Sequence, residues 1–300
     1  MKHKHIFWVP SITFIIIFIL PLLTLIACNA KPEKLGRDKK FPESPAIQAI
    51  QAQIKQHKRE FIIAKLKLRV PKYEKMLNDH INYAWIEDGD VQHRWKNYGP
   101  GGRQYGMHHA NLARNIFFII LSPYNRNLTY GAPESKDARS KIYLAFEYNE
   151  NLIEDFGEVL WSLGGRAATF HHGGLGIRNP NEYNKLVQEI ADKTGEYACN
   201  YFEVAFGELI KKQNNLNSLS YNMLQALDQK FDKLIAEREM HIKDAKTIYN
   251  DLKANKGEIK KDKNAAKLKD YLIKHKPKFE NSFEVVKTLA REIKNILDTI

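Results

Sequence analysis

Residues 217–254 read NSLSYNMLQALDQKFDKLIAEREMHIKDAKTIYNDLKA. Leu224, Leu227, Phe231, Leu234, Ile242, Ile248 and Leu252 recur there at helical spacing, with charged and amide side chains between them. A stripe of this kind marks an amphipathic helix that must bury one face against neighbours. No stretch of the chain sustains the period-two alternation of a half-buried strand. The expected fold is an all-α, multi-helix bundle of about seven to eight helices, with long C-terminal helices and two glycine-rich loops.

Reading outward from that stretch, Ser44-Pro45 forms a cap followed by proline at the first helical position. Ile47, Ile50, Ile54, Phe61 and Leu68 follow as the expected core stripe of the first helix. Pro71 is expected to end it and to start a second helix, which carries Tyr73, Met76, Leu77, Ile81 and Trp85. A third helix is expected over 110–121. A fourth covers 135–162, with Ile142, Ala145, Leu152, Phe156 and Leu160 inward. A fifth covers 181–212, with Leu186, Ile190, Tyr197, Tyr201 and Leu209 inward. Two further helices follow Gly257 and Pro277. The chain has two cysteines, so no disulfide framework is expected. Cys199, among Tyr197, Ala198, Tyr201 and Phe202, reads as a buried small hydrophobe.

The N-terminus has a different logic. Lys2, His3, Lys4 and His5 precede a run, residues 6–26, that carries no charge and is dominated by Ile, Leu and Phe. Leu25-Ile26-Ala27-Cys28 closes it with the pattern of a lipobox. A small residue before the cut lets a peptidase reach the backbone, and the Cys28 thiol takes the lipid. Residues 1–27 are therefore expected to be a lipoprotein signal, 28–43 a flexible tether and 44–300 a single helical domain. An uncleaved membrane anchor is the alternative, which Pro10 and Pro21 count against.

The formal charge is +12, from 47 basic and 35 acidic residues. It is uneven: residues 28–70 carry +7, residues 134–215 carry −4 and residues 216–300 carry +5. A basic surface concentrates polyanions such as nucleic acid, sulfated polysaccharide or anionic lipid. The alternative is lysine-rich coding on ordinary solvated helix faces. The candidate nucleic-acid-binding residues are Lys55, Lys58, Arg59 and Lys65 in the first helix. Arg94 and Lys96, interleaved with Trp95 and Tyr98, add a loop, and Lys260, Lys261, Lys263 and Lys267 add a lysine-rich segment. Intrahelical acids are too sparse there to neutralise them.

Two glycine-rich stretches share a pattern. Gly101-Gly102-Arg103, His108-His109 and Leu112 match Gly164-Gly165-Arg166, His171-His172 and Leu175, and Ile-Glu-Asp precedes each copy at 86–88 and 153–155. This reads as an internal duplication. Converging backbone N–H groups with Arg103 and Arg166 would suit an anion. The plain alternative is a pair of helix-to-helix turns with glycine at positive φ. Adjacent histidines are poorly placed to share one ion from a regular helix, so no metal is expected. Glu147, Glu150, Glu154, Asp155 and Glu158 read as a solvated helix face. No Walker loop, nucleophile elbow or dinucleotide fingerprint is present, so no enzyme and no cofactor is expected.

A lipobox after an Ile/Phe-rich leader, a short Lys/Pro tether and Lys/Asn/Ile-rich amphipathic helices together resemble the plasmid-encoded lipoproteins of Borrelia spirochaetes. The likeness is greatest to their paralogous family twelve. That resemblance implies an all-helical protein, lipid-anchored at the outer membrane, that binds DNA without sequence preference. The chain also resembles a neighbouring Borrelia family, the virulence-associated lipoproteins related to complement-regulator binders, which implies a host-protein partner. Either way, Cys28→Ala should abolish acyl labelling and release or mislocalise the protein. Labelling that survives the substitution would refute the lipobox.

Overall fold

The computed structural model describes residues 44–81, 116–130, 132–165, 182–260 and 265–300. By its contacts the chain divides into two units, Met1–Gln51 and Ala52–Ile300. Of the first, residues 44–51 are described, and all are exposed in the opening turns of a helix. The second unit holds the core.

The fold is all-α. The helices are α1 (Pro45–Ile81), α2 (Lys136–Ala145), α3 (Glu150–Leu160), α4 (Glu182–Ala198), α5 (Gly207–Lys212), α6 (Tyr221–Lys253) and α7 (Ala266–Leu297). A π-turn, Trp161–Gly165, prolongs α3, and a π-helical segment, Cys199–Phe206, joins α4 to α5. No strand is present among the described residues, where one isolated antiparallel bridge links Leu121 and Thr129. The helix starts follow local rules. Ser44 Oγ accepts from Ile47 N–H at 3.4 Å, and Ser220 Oγ from Met223 N–H at 3.3 Å.

The expected 181–212 helix is continuous, and its widened middle has a cause in the sequence. Tyr197-Ala198, Tyr201-Phe202, Ala205-Phe206 and Leu209 repeat every four residues and are all buried. An α-helix of 3.6 residues per turn would rotate such a stripe by about 40° at each step. The wider i→i+5 turn holds it on one side, and Gly207 N–H accordingly bonds back to Phe202 O. This stripe packs against α7. It also stacks on α1, with the Tyr73 and Phe206 rings 3.5 Å apart, and meets α6 through Phe206 and Phe231 at 5.1 Å.

Four expectations need correction. First, α1 runs through Pro71, and α7 through Pro277. A proline inside a helix costs about 3 kcal/mol. Leu66, Val70, Tyr73 and Leu77 form one buried stripe across Pro71, and burying each such side chain contributes about 1.5–3 kcal/mol. Packing therefore outweighs the break. Second, the stripe expected to be core in α1 faces out: Ile47, Ile50, Ile54, Phe61 and Leu68 are all exposed. The helix carries two apolar faces, and periodicity by itself does not say which one the bundle covers.

Third, the helix expected over 135–162 is broken. Glu147 and Tyr148 both take left-handed φ of 55°, a costly conformation for residues with a Cβ. Asn149 then caps α3 by accepting from Leu152 N–H at 3.1 Å. Fourth, the 110–121 helix is, where described, a 3₁₀ turn at Ile116–Phe118 leading to the Leu121–Thr129 bridge.

The turn alternative for the second glycine pair places Gly164 at positive φ. Its φ is not positive, and it marks a close approach instead. A Cβ there would lie 2.9 Å from Val187 Cγ2 and 3.3 Å from Asn184 Oδ1 on α4. Gly164→Ala should therefore destabilise by about 1–3 kcal/mol, as overpacking does. A lowered midpoint in thermal or urea melts checks this, and an unchanged midpoint would mean that α3 and α4 are not so closely apposed.

Candidate functional site

The basic residues were read as facing a polyanion. Many of them instead face acids on neighbouring helices. Between α1 and α6, Lys65 Nζ lies 2.8 Å from Asp228 and 2.7 Å from Asp232. Arg69 reaches the same two carboxylates at 2.9 and 2.6 Å. Between α4 and α7 a ladder forms: Glu182 with Lys269 at 3.0 Å, Glu189 with Lys276 at 2.6 Å and Glu196 with Lys287 at 2.8 Å. The acids stand seven residues apart, so they occupy one face of α4. Lys287 holds the Glu196 carboxyl below its ordinary range, and Glu189 and Glu182 raise the ammonium groups of Lys276 and Lys269. Lys230 and Glu292 join α6 to α7 at 2.6 Å. The acidic 134–215 region and the basic 216–300 region are thus partners of each other, across helices rather than along them.

The candidate residues fare accordingly. Lys55 is exposed, with its ammonium 5.9 Å from the centre of the Tyr221 ring. Lys58 is exposed. Arg59 donates to the Asn217 carbonyl. Lys65 belongs to the aspartate pair on α6. Lys260 is exposed, its backbone N–H donating to Asn255 Oδ1 at 2.9 Å. Lys267 pairs with Glu258 at 2.7 Å. The Lys55 group sits at the start of α6 and the Lys260 group follows its end. Thirty-three residues at 1.5 Å each separate them by about 50 Å, so they do not form one patch. Cys28, Arg94, Lys96, Arg103, Arg166, Lys261 and Lys263 lie outside the described residues, as do His108, His109, His171 and His172. The duplication therefore has no described first copy to compare.

A buried polar network escaped the sequence reading. The left-handed Glu147 and Tyr148 are held from both sides. Glu147 lies 3.0 Å from Lys72 and 3.7 Å from Arg238 Nε. Arg238 is buried, its guanidinium 5.4–5.6 Å from the ring centres of Tyr197, Tyr201 and Phe202. Tyr148 Oη lies 2.6 Å from Nδ1 of the buried His80. His80 Nε2 is 3.4 Å from Glu203, which Lys141 approaches to 3.9 Å. The hydrogen bond from His80 holds the Glu203 carboxyl below its usual range, against the opposing effect of burial. Burial pushes the half-buried Cys199 thiol up to about 11, with Glu203 adding to the shift. Cys199 is thus a thiol at neutral pH and lacks thiolate reactivity. The one signal in the sequence for this site was the Asn149 cap. Its partners come from α1, α4 and α6, too far along the chain to be read together.

The comparisons with known proteins now bear on this arrangement. A family model described as Borrelia Bbcrasp-1 domain containing protein matches residues 100–298, more than half of the chain. The protein belongs to this family. Among solved structures its Bbcrasp-1 domain is similar to the Borrelia burgdorferi outer surface lipoprotein BBA64, at 19% identity over 80% of this chain and 98% of that one, with a TM-score of 0.56. It is also similar to BSA64 of Borrelia spielmanii, orthologous to BBA64, at 20% identity over 81% and 98%, with a TM-score of 0.55. At these identities the likeness establishes the shared helical fold. No curated protein matches in sequence. The resemblance to Borrelia surface lipoproteins holds at the level of the family. The finer likeness to paralogous family twelve, and the DNA binding it implies, are not among the matches. No helix of the described residues is long and apolar enough to cross a membrane.

The His80–Glu203 contact gives the helical bundle a defined acid sensitivity. A carboxyl whose folded pKa is depressed contributes stability above its ordinary value of about 4.3 and loses it as pH falls through the folded value. Glu203→Gln should lower the melting temperature at pH 7 and flatten its fall between about pH 5 and 3. A variant that melts in parallel with the parent across that range would exclude the contribution.

Proposed function

We propose that this Bbcrasp-1 domain protein is held at the cell surface by lipid on Cys28 and acts by binding a protein partner, with the outer face of α1 as the contact. One observation carries the reading. Ile54, Phe61 and Leu68 stand at successive seven-residue steps on α1 and are 42%, 66% and 81% exposed, with Ala64 exposed between them. From Ile62 onward the opposite face of the same helix is buried in the core, which holds Phe61 and Leu68 outward. Exposed apolar rows rimmed by polar residues mark interaction surfaces, and a helix seated in a groove is a common recognition mode. Lys58 and Lys67 flank the stripe and are exposed, which adds attraction for an acidic rim on the partner. Nothing in the network around His80 and Glu203 calls for catalysis: its charges are paired and its thiol is protonated.

A second reading, non-specific DNA or sulfated polysaccharide as ligand, is favoured by the +12 charge together with exposed Lys55 and Lys58. The ion pairs take Lys65 and Lys267 out of the candidate set, whereas the net charge, which already counts those acids, is unchanged. The two readings respond differently to salt. Phosphate contacts release counterions and weaken steeply, whereas an interface with an apolar centre is less sensitive. Phe61→Ser with Leu68→Ser should leave the melting temperature nearly unchanged, since both side chains are exposed. The pair should reduce binding to host serum proteins at least tenfold, about 1.4 kcal/mol. A salt-sensitive gel shift on unrelated duplexes that survives this pair, and is lost with Lys55→Glu and Lys58→Glu, would overturn the protein-partner reading.

A further inference from the structure

A cavity of about 140 Å³ lies among α3, α4, α6 and α7, away from the outer face of α1. Its walls include Phe156, Ile190, Ile242, Leu272 and Phe279, and the lining is almost wholly apolar. Well-packed cores leave few voids larger than a water molecule. An engineered apolar cavity of about 150 Å³ in another protein stays dry and takes up benzene. A space of this size and lining is therefore suited to one ring.

Two features narrow the ligand further. The charges at the rim answer one another. Lys276 lies 2.6 Å from Glu189 and 3.5 Å from Glu280, and Asp155 is hydrogen-bonded by Tyr249. A charged ligand would have to break these pairs, so an uncharged one fits. The second feature is His241, which lines the cavity. Its ring stacks on Tyr197 at 4.8 Å and meets Phe279 and Phe283 edge-on or tilted at 5.1 Å. Burial and nearby Arg238 push its pKa down to about 3, so the imidazole is neutral at pH 7. Its Nδ1 is buried without a hydrogen-bond partner. The other neutral polar side chains of the wall, Thr194 and Tyr249, are already bonded to the Ile190 carbonyl and to Asp155.

We propose that this cavity is a binding site for a small, uncharged aromatic molecule carrying one hydroxyl, with the ring among the apolar side chains and the hydroxyl on His241. A buried polar group without a partner favours a ligand that supplies one, and aromatic walls favour a ring in offset or edge-to-face contact. The site is independent of the α1 surface.

The test uses the full chain in lipid vesicles, with protein-free vesicles as the blank, and 4-fluorophenol as the probe followed by fluorine NMR. Saturable binding, displaced by phenol and accompanied by a rise in melting temperature, is expected. Ile190→Trp fills the cavity and should weaken binding at least tenfold. His241→Phe keeps an aromatic wall and should reduce the affinity for 4-fluorophenol to that for fluorobenzene, a loss of several-fold. Because Ile190→Trp risks misfolding, the melting shift of the unaltered chain stands as a second measurement. Absence of saturable binding and of any melting shift, or binding that persists unchanged in a folded Ile190→Trp chain, would overturn the proposal. An affinity for 4-fluorophenol that His241→Phe leaves intact would do the same for the hydroxyl contact.

Discussion

The four-residue repeat of apolar pairs from Tyr197 to Leu209 is the constraint around which the rest of the molecule is arranged. A regular α-helix would rotate those pairs by about 120° from the first to the last. Widening the turn over Cys199–Phe206 keeps them together and makes this segment a central strut. Tyr73 of α1 stacks on it and shares a hydroxyl contact with Tyr201 at 3.1 Å. Phe231 of α6 and the buried row of α7 close around its other sides. Once α1 is committed to the strut through Tyr73, its second apolar row must point outward. The exposed stripe proposed as the contact surface is thus a geometric consequence of the core.

Charge then fixes how the helices are registered. The Glu182, Glu189 and Glu196 ladder on α4 meets its lysines on α7 in the same order along both chains, so the two helices run parallel. Lys65 and Arg69 sit over Asp228 and Asp232 and set α1 against α6. Exposed pairs of this kind each contribute little stability. Their value lies in specificity, since a shifted register would place like charges opposite one another. Of the candidate lysines, Lys65 and Lys267 belong to ion pairs, and Lys55, Lys58 and Lys260 are exposed.

Where the helices change direction, the bundle accepts local cost. Two consecutive left-handed residues, Glu147 and Tyr148, stand at the break between α2 and α3, held by Lys72, Arg238 and His80. Removing such partners would leave buried charge uncompensated, which is why the break is stable although neither residue prefers it. The same arrangement places α3 beside α4 and α6 and shapes the wall of the cavity between them. The polar joint and the apolar void between long helices both result from packing unequal helices around one strut.

The sequence by itself determined the all-α class, the long helices expected over 181–212 and 217–254, and the Ser44 cap of α1. These depend on short-range periodicity and capping, which the chain encodes within a few turns. Cys199, expected to be buried, is half-buried beside Glu203. Tertiary structure decided the rest. It chose which of two apolar rows on α1 is core, because both have helical spacing and one of them meets Tyr201 and Phe206. It carried α1 through Pro71 and α7 through Pro277, because burial on both sides exceeds the cost of a lost hydrogen bond. It broke the 135–162 helix at Glu147, because the partners that hold the break lie some seventy residues before it and ninety after. It paired the lysines with acids on other helices, because ions find the nearest opposite charge in space, and that distance is not written in the order of residues along the chain.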